Sequence, residues 1–259
     1  MKAARLREFE DWFAGYLRPF EGGDEEIRRN TLLKKNHTFR VRTEIIGLGR
    51  DLGLPEEDLL LADTLALFHD LGRFEQYFRH RTFVDRDSED HAVLGVKILE
   101  EHQVLDRIDP VERELILKAV SYHNRAVLPD GESSRCLFFT RLLRDADKID
   151  IFKVVTDYYG RKDPSRDRAI ELGLPDTPGF SPEVYQALLR KEIVRADRLR
   201  NLNDFKLLQV GWVYGLNFSP AFERVRRRGY LDIIRRYLPR TEEIDRIFGM
   251  AGDHLLAMS

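Results

Sequence analysis

Apolar residues recur at intervals of three and four along nearly the whole chain, and runs of strict alternation are few. That period matches the turn of an α-helix and not the two-residue repeat of a strand, so it predicts an all-α fold. Between residues 25 and 50 the apolar stripe is Leu33, His37, Val41, Ile45 and Leu48. Gly53 and Pro55 interrupt it, and the acids after the proline suit the positive end of a new helix leading to Asp70. Ser88, within Asp87-Ser88-Glu89-Asp90, is expected to cap a helix over HAVLGVKILEEH, and Asp109-Pro110 opens the next one. PDGESS at 129–134 is turn material, and residues 135–156 form another mostly apolar helix. The stretch 160–182 is rich in proline and glycine, and helical spacing returns over about 182–214, 219–238 and 241–256. This organisation implies a helical domain over 1–159, with its core in about 30–155, and a C-terminal helical extension over 160–259 packed on it.

Composition narrows the function. An apolar content of 42% in 259 residues is enough for a continuous core. With 43 basic against 45 acidic residues the net charge is near −2, which argues against general nucleic-acid binding, because that needs surplus cations to displace counterions. The N-terminal MKAARLREFEDWF lacks the apolar core of a signal peptide, and no run of about 18 uncharged apolar residues exists. A cytoplasmic protein with neither nucleic-acid nor membrane partners is expected. Cys136, the only cysteine, is expected to be a buried reduced thiol.

Chemistry enters at Leu65–Arg73, LALFHDLGR. An apolar helix runs directly into a histidine and an aspartate, and a carboxylate is costly to bury there unless something positive compensates it. Three more histidines occupy comparable places: His37 on the apolar face of its helix, His91 at a helix start, and His123 at a helix end in line with Ile116 and Val120. Asp147 follows Leu143 by four. His80, His102 and His254 lie in charged or terminal surroundings and are left out of the set. One buried cationic centre accounts for all the inward groups at once. Four imidazoles and two carboxylates, with no thiolate, exceed one tetrahedral zinc and suit two adjacent divalent ions, iron, manganese, cobalt or nickel before zinc or magnesium, with Asp70 as the bridge. Two such ions sharing a water would supply hydroxide near neutral pH and clamp an anionic oxygen, which points to phosphate-ester or anhydride hydrolysis.

The ordered series His37, His69-Asp70, His91, His123 and Asp147, the last within Asp145-Ala-Asp-Lys148, resembles the HD superfamily of metal-dependent phosphohydrolases. His91 in HAVLG and His123 in YHN are similar to the subset that binds two metals. The resemblance spans roughly residues 30–155 and implies a helical bundle with the metals at its centre, held by His37, His69, Asp70, His91, His123 and Asp147. Two specialised branches do not fit. Cyclic-dinucleotide phosphodiesterases of the HD-GYP type carry a further His-His-Glu where this chain reads YHNRAVLPDGES, and stringent-response hydrolases carry a Glu-Asp pair where it reads HDLGRFEQY.

The expected activity is therefore hydrolysis of a small nucleotide-like phosphate, with Asp70, Arg73 and Lys148 in the catalytic machinery. Arg73, Gln76, Arg125 and Lys148 are candidate substrate contacts, because a guanidinium fork and nearby ammoniums suit phosphate oxygens. The competing place for Arg73 is an ion pair with Glu75 or another nearby acid. Gln76, Tyr77 and Phe83 fall in a loop-like stretch, 74–87, that is expected to shape the pocket. The same ligand order resembles HD-type di-iron oxygenases acting on a polyol or phosphonate, and a metal-binding sensor without turnover is a third reading. In the C-terminal part, Trp212, Tyr214 and Phe218 are expected to dock the extension, and the basic run at 225–238 to be a solvated face with a stripe of Tyr230, Ile233, Ile234 and Tyr237.

Overall fold

A computed structural model of the protein describes residues 1–161 and 168–259. Among the described residues the regular structure is helical, without strands, and the fold is all-α. The chain forms two compact units, Met1–Asp147 and Lys148–Ser259.

The first unit opens with α1 (Ala3–Glu21), which the sequence reading did not single out. Leu6, Phe9, Phe13, Leu17 and Phe20 form its buried stripe, and Phe9 and Phe13 meet Phe68 and Phe74 edge-on at 5.4 and 5.8 Å. Helix α2 (Glu25–Asp51) starts where the Asp24 carboxylate accepts from the Ile27 N–H at 2.9 Å. It buries His37, Val41, Ile45 and Leu48 as its spacing predicts, while Leu33 is only half-buried.

Helix α3 (Glu56–Phe68) has almost no polar face after its first turn and is enclosed from Leu61 to Phe68 apart from Asp63. It ends at His69 and Asp70, and α4 (Leu71–His80) begins at once. Asp70 forms the corner, with φ −102° and ψ 17°, and its side chain makes no capping bond to α4. The carboxylate is thereby released from local duty and turned to the centre of the unit.

Two expectations change here. Residues 71–80 are helix, so the loop expected over 74–87 begins only after His80. The cap of α5 (His91–Glu101) is Asp90, whose carboxylate accepts from Ala92 N and Val93 N, because its side chain directly precedes the first turn. Ser88 is committed elsewhere, donating to the Val84 carbonyl. Helix α6 (Pro110–Tyr122) is capped by Asp109 as expected. Helix α7 (Ser134–Tyr159) supplies Asp147 at the end of the first unit and enters the second, and Cys136 is buried in it.

The second unit contains α8 (Arg168–Glu171), α9 (Pro182–Leu189), α10 (Leu202–Gly211), α11 (Ser219–Arg227), α12 (Tyr230–Arg235) and α13 (Glu242–Met258). The expected segment 182–214 is broken, because Lys191 turns the chain at φ 57° and the buried Asp204 carboxylate gathers Ser181 N, Ser181 Oγ and Arg200 N around itself. The expected segment 219–238 is two helices, separated at Gly229 with φ 66°. Phe152 stacks on Tyr230 at 5.6 Å and meets Trp212 edge-on at 5.5 Å, so Trp212 serves packing, as expected. Within the basic run Tyr230 and Ile234 are buried, whereas Tyr237 is exposed. No described helix is long and apolar enough to cross a membrane.

Candidate metal centre

Every candidate ligand belongs to the first unit, and all converge on Asp70. Its Oδ2 lies 3.4 Å from His37 Nε2 and 3.6 Å from His69 Nε2. Its Oδ1 lies 3.4 Å from His91 Nε2 and 3.8 Å from His123 Nε2. Asp147 Oδ1 completes the first side, 3.1 Å from His37 Nε2 and 3.9 Å from His69 Nε2. The four imidazoles and Asp70 are all buried. The corner between α3 and α4 thus places one carboxylate oxygen against each of two histidine pairs.

Proton positions follow from the hydrogen bonds. A carbonyl only accepts, so His69 Nδ1 must donate to Ala66 O at 2.8 Å and His123 Nδ1 to Val120 O at 2.7 Å. His91 Nδ1 donates to the Asp85 carboxylate, with contacts of 2.8 and 3.0 Å. In the neutral rings the Nε2 atoms therefore carry bare lone pairs. Burial is the main influence holding His69 and His91 neutral, lowering each to about 4. Yet His91 Nε2 and His123 Nε2 stand 3.1 Å apart, and His37 Nε2 and His69 Nε2 stand 3.3 Å apart. Two bare lone pairs facing at 3.1 Å, as on His91 and His123, repel unless a cation lies with them. The donor set fits divalent metal on both sides of Asp70, and among the described residues three groups of ligand atoms meet the spacing for an ion: His37, His69 and Asp70; Asp70, His91 and His123; and, away from Asp70, the half-buried Asp85 with the exposed Asp90 and the buried His91.

Charge is arranged to keep Asp70 ionised. Burial works to raise its carboxyl, but Lys34, the neighbouring His69 and His123 rings and Arg73 outweigh it and hold the group well below the ordinary range. Asp147 is held low in the same way, with His37 the main opponent of burial. Lys34 Nζ touches Asp70 Oδ2 at 2.8 Å and sits 5.3 Å from the centre of the Phe83 ring.

Residues 35–157 match the family model for the HD domain. The chain carries an HD domain over these residues. No curated protein and no solved structure matches it. The matched segment holds all six candidate ligands and, within it, the HD domain's name-giving pair is the His69-Asp70 corner.

The candidate substrate groups of the HD domain fare unequally. Arg73 does not pair with Glu75, which takes Tyr16 and Arg79 instead. Its Nη1 faces Asp85 Oδ1 at 2.8 Å, Gln76 Oε1 at 2.9 Å and the Phe83 carbonyl at 2.5 Å. Its Nε, 3.6 Å from Asp70 Oδ1, is buried with no hydrogen-bond partner. Gln76 is fully buried and both ends of its amide are engaged, so it braces the site from behind. Tyr77 and Phe83 pack on each other at 4.6 Å. Arg125 is exposed over the Tyr122 ring. Lys148 donates to Gly215 O at 3.1 Å within the second unit.

Sequence reasoning missed Lys34 and Asp85. Lys34 was findable, since it precedes His37 by three on one helix and so shares its face. Asp85 gave no such signal, because the segment joining it to His91 has no regular period.

The neutral rings predict an acid response. Below about 6.5 the unfolded chain protonates His69 and His91, whereas the folded metal-free protein does so only near about 4. The unfolded state thus holds more protons through that window, and stability falls as pH falls. Melting temperatures of chelator-treated protein should decline from pH 7 to pH 4.5, and a flat profile would contradict neutral buried rings.

Proposed function

We propose that the protein is a metal-dependent phosphohydrolase acting on a small nucleotide-like phosphate ester or anhydride, with two divalent ions held by His37, His69, Asp70 and Asp147 on one side and Asp70, His91 and His123 on the other. The observation that carries this reading is the position of Asp70, one oxygen toward each pair of imidazole Nε2 atoms. When bound, such ions supply hydroxide near neutral pH and stabilise charge on phosphoryl oxygens.

The chain's own residues define what is bound. Lys34 and Arg73 already offset most of the carboxylate charge around Asp70, so two divalent ions leave the pocket strongly positive and select an anion. Lys34, reaching Asp70 with one of its three donors, holds the substrate oxyanion at the rim beside Phe83. Arg73 stabilises from behind, because its Nη1 is occupied by Gln76, Phe83 and Asp85.

Manganese-loaded protein should release phenolate from a chromogenic phosphate ester under argon, and a panel of nucleoside mono-, di- and triphosphates should then rank the leaving groups. Oxygen consumption by the iron-loaded protein, with no turnover on either panel, would replace this reading by an oxygenase. Metal binding without either activity would leave a sensor.

A further inference from the structure

The two sides of the centre are not equivalent, and the difference lies behind the ligands. His69 and His123 are oriented by carbonyls of their own helices, Ala66 and Val120, which are neutral acceptors. His91 is oriented by a carboxylate from outside its helix, Asp85, which stands in a single turn of 3₁₀ helix, Asp85–Asp87, between α4 and α5. An anionic partner on the far nitrogen makes the imidazole a stronger metal donor than a carbonyl does. We propose that Asp85 is a positioning residue that sets the affinity of one ion only, the one on the His91 and His123 side. The inference rests on the two-ion reading of the site.

Asp85 is itself fixed. Its Oδ1 accepts from Gln76 Nε2 and from Arg73 Nη1, each at 2.8 Å. Gln76 also gives its amide to Ser88 Oγ at 2.9 Å and to the Glu89 carbonyl at 2.8 Å, and it accepts from Arg73 at 2.9 Å. One fully buried amide on α4 therefore ties down both ends of the segment that carries Asp85 toward His91. The arrangement explains why a buried glutamine is placed there: with it, a loop with no helical register holds a carboxylate at hydrogen-bonding distance from a ligand. Asp85 touches His91 directly and reaches the shared Asp70 only through Arg73, whose Nε lies 3.6 Å from Asp70 Oδ1, so its direct effect falls on the His91 side.

The test is manganese titration of the full chain, comparing wild type with Asp85→Asn and Asp85→Ala, followed by calorimetry, elemental analysis and electron paramagnetic resonance. Asp85→Asn keeps an acceptor oxygen for His91 Nδ1 while removing the charge, so it separates basicity from shape. Wild type should bind two ions. In the variants one equivalent should bind as before and the second about 10–100-fold more weakly, with alanine worse than asparagine. At limiting manganese the spin-coupled spectrum of a pair should give way to that of an isolated ion. Equal weakening of both ions, or unchanged affinity for both, would overturn the role of Asp85 while leaving two ions in wild type. A single ion in wild type would instead overturn the two-ion reading itself.

Discussion

Replacing Asp70 by alanine should empty the centre entirely, leaving no metal per chain and reducing hydrolysis by more than about 10³-fold. The expectation follows from the two oxygens of this one side chain, since Oδ2 serves His37 and His69 while Oδ1 serves His91 and His123. Its removal takes an anionic donor from both sides at once and leaves Lys34, 2.8 Å away in the native site, without its counter-charge. Two cations would then share a pocket with one nearby ammonium and a guanidinium, with Asp147 alone on the first side to oppose them. His91→Ala provides the contrast. It removes one neutral donor from one side, so one ion should remain. Elemental analysis of both variants purified without oxygen decides the matter, and two ions retained by Asp70→Ala would rule out its bridging place.

Gly72→Ala should be the most damaging single methyl group in the first unit. A Cβ built on Gly72 would lie 2.1 Å from the His91 carbonyl oxygen and 2.7 Å from Gly95 N. Both are backbone atoms at the crossing of α4 and α5, so no rotamer change relieves the overlap and the helices must separate. A cost of about 3 kcal/mol is expected. That corresponds to a melting point lower by about 6–12 °C in a chain of this size. Because the carbonyl struck belongs to His91, the ion on the His91 side should weaken along with stability. Gly95→Ala is the matched control: its Cβ would meet Gly72 N at 3.3 Å, a contact that a small shift can relieve. Calorimetric melting of the two variants should place Gly95→Ala well above Gly72→Ala, and equal melting points would show that the crossing can open freely.

The sequence by itself determined the class of fold and singled out the six candidate ligands. Helical period is a local property, fixed by which residues share a face, so α2, α3, α6 and α7 were legible without knowledge of their partners. The ligands were legible for a related reason: a histidine or aspartate on an apolar face is costly unless compensated, and His37, His69, Asp70, His91, His123 and Asp147 all carried that mark. Tertiary structure alone decided how they divide. Which imidazoles face which oxygen of Asp70 depends on the corner at residues 69–70 and on the Gly72 crossing, and neither distance is encoded in spacing along the chain. The reassignment of Gln76 from pocket wall to buried brace, the engagement of Arg73 by Asp85, and the place of Asp85 behind His91 have the same origin. Each is a contact between a helix and an irregular segment, where no period relates sequence position to direction, and only closure of the chain on itself sets what meets what.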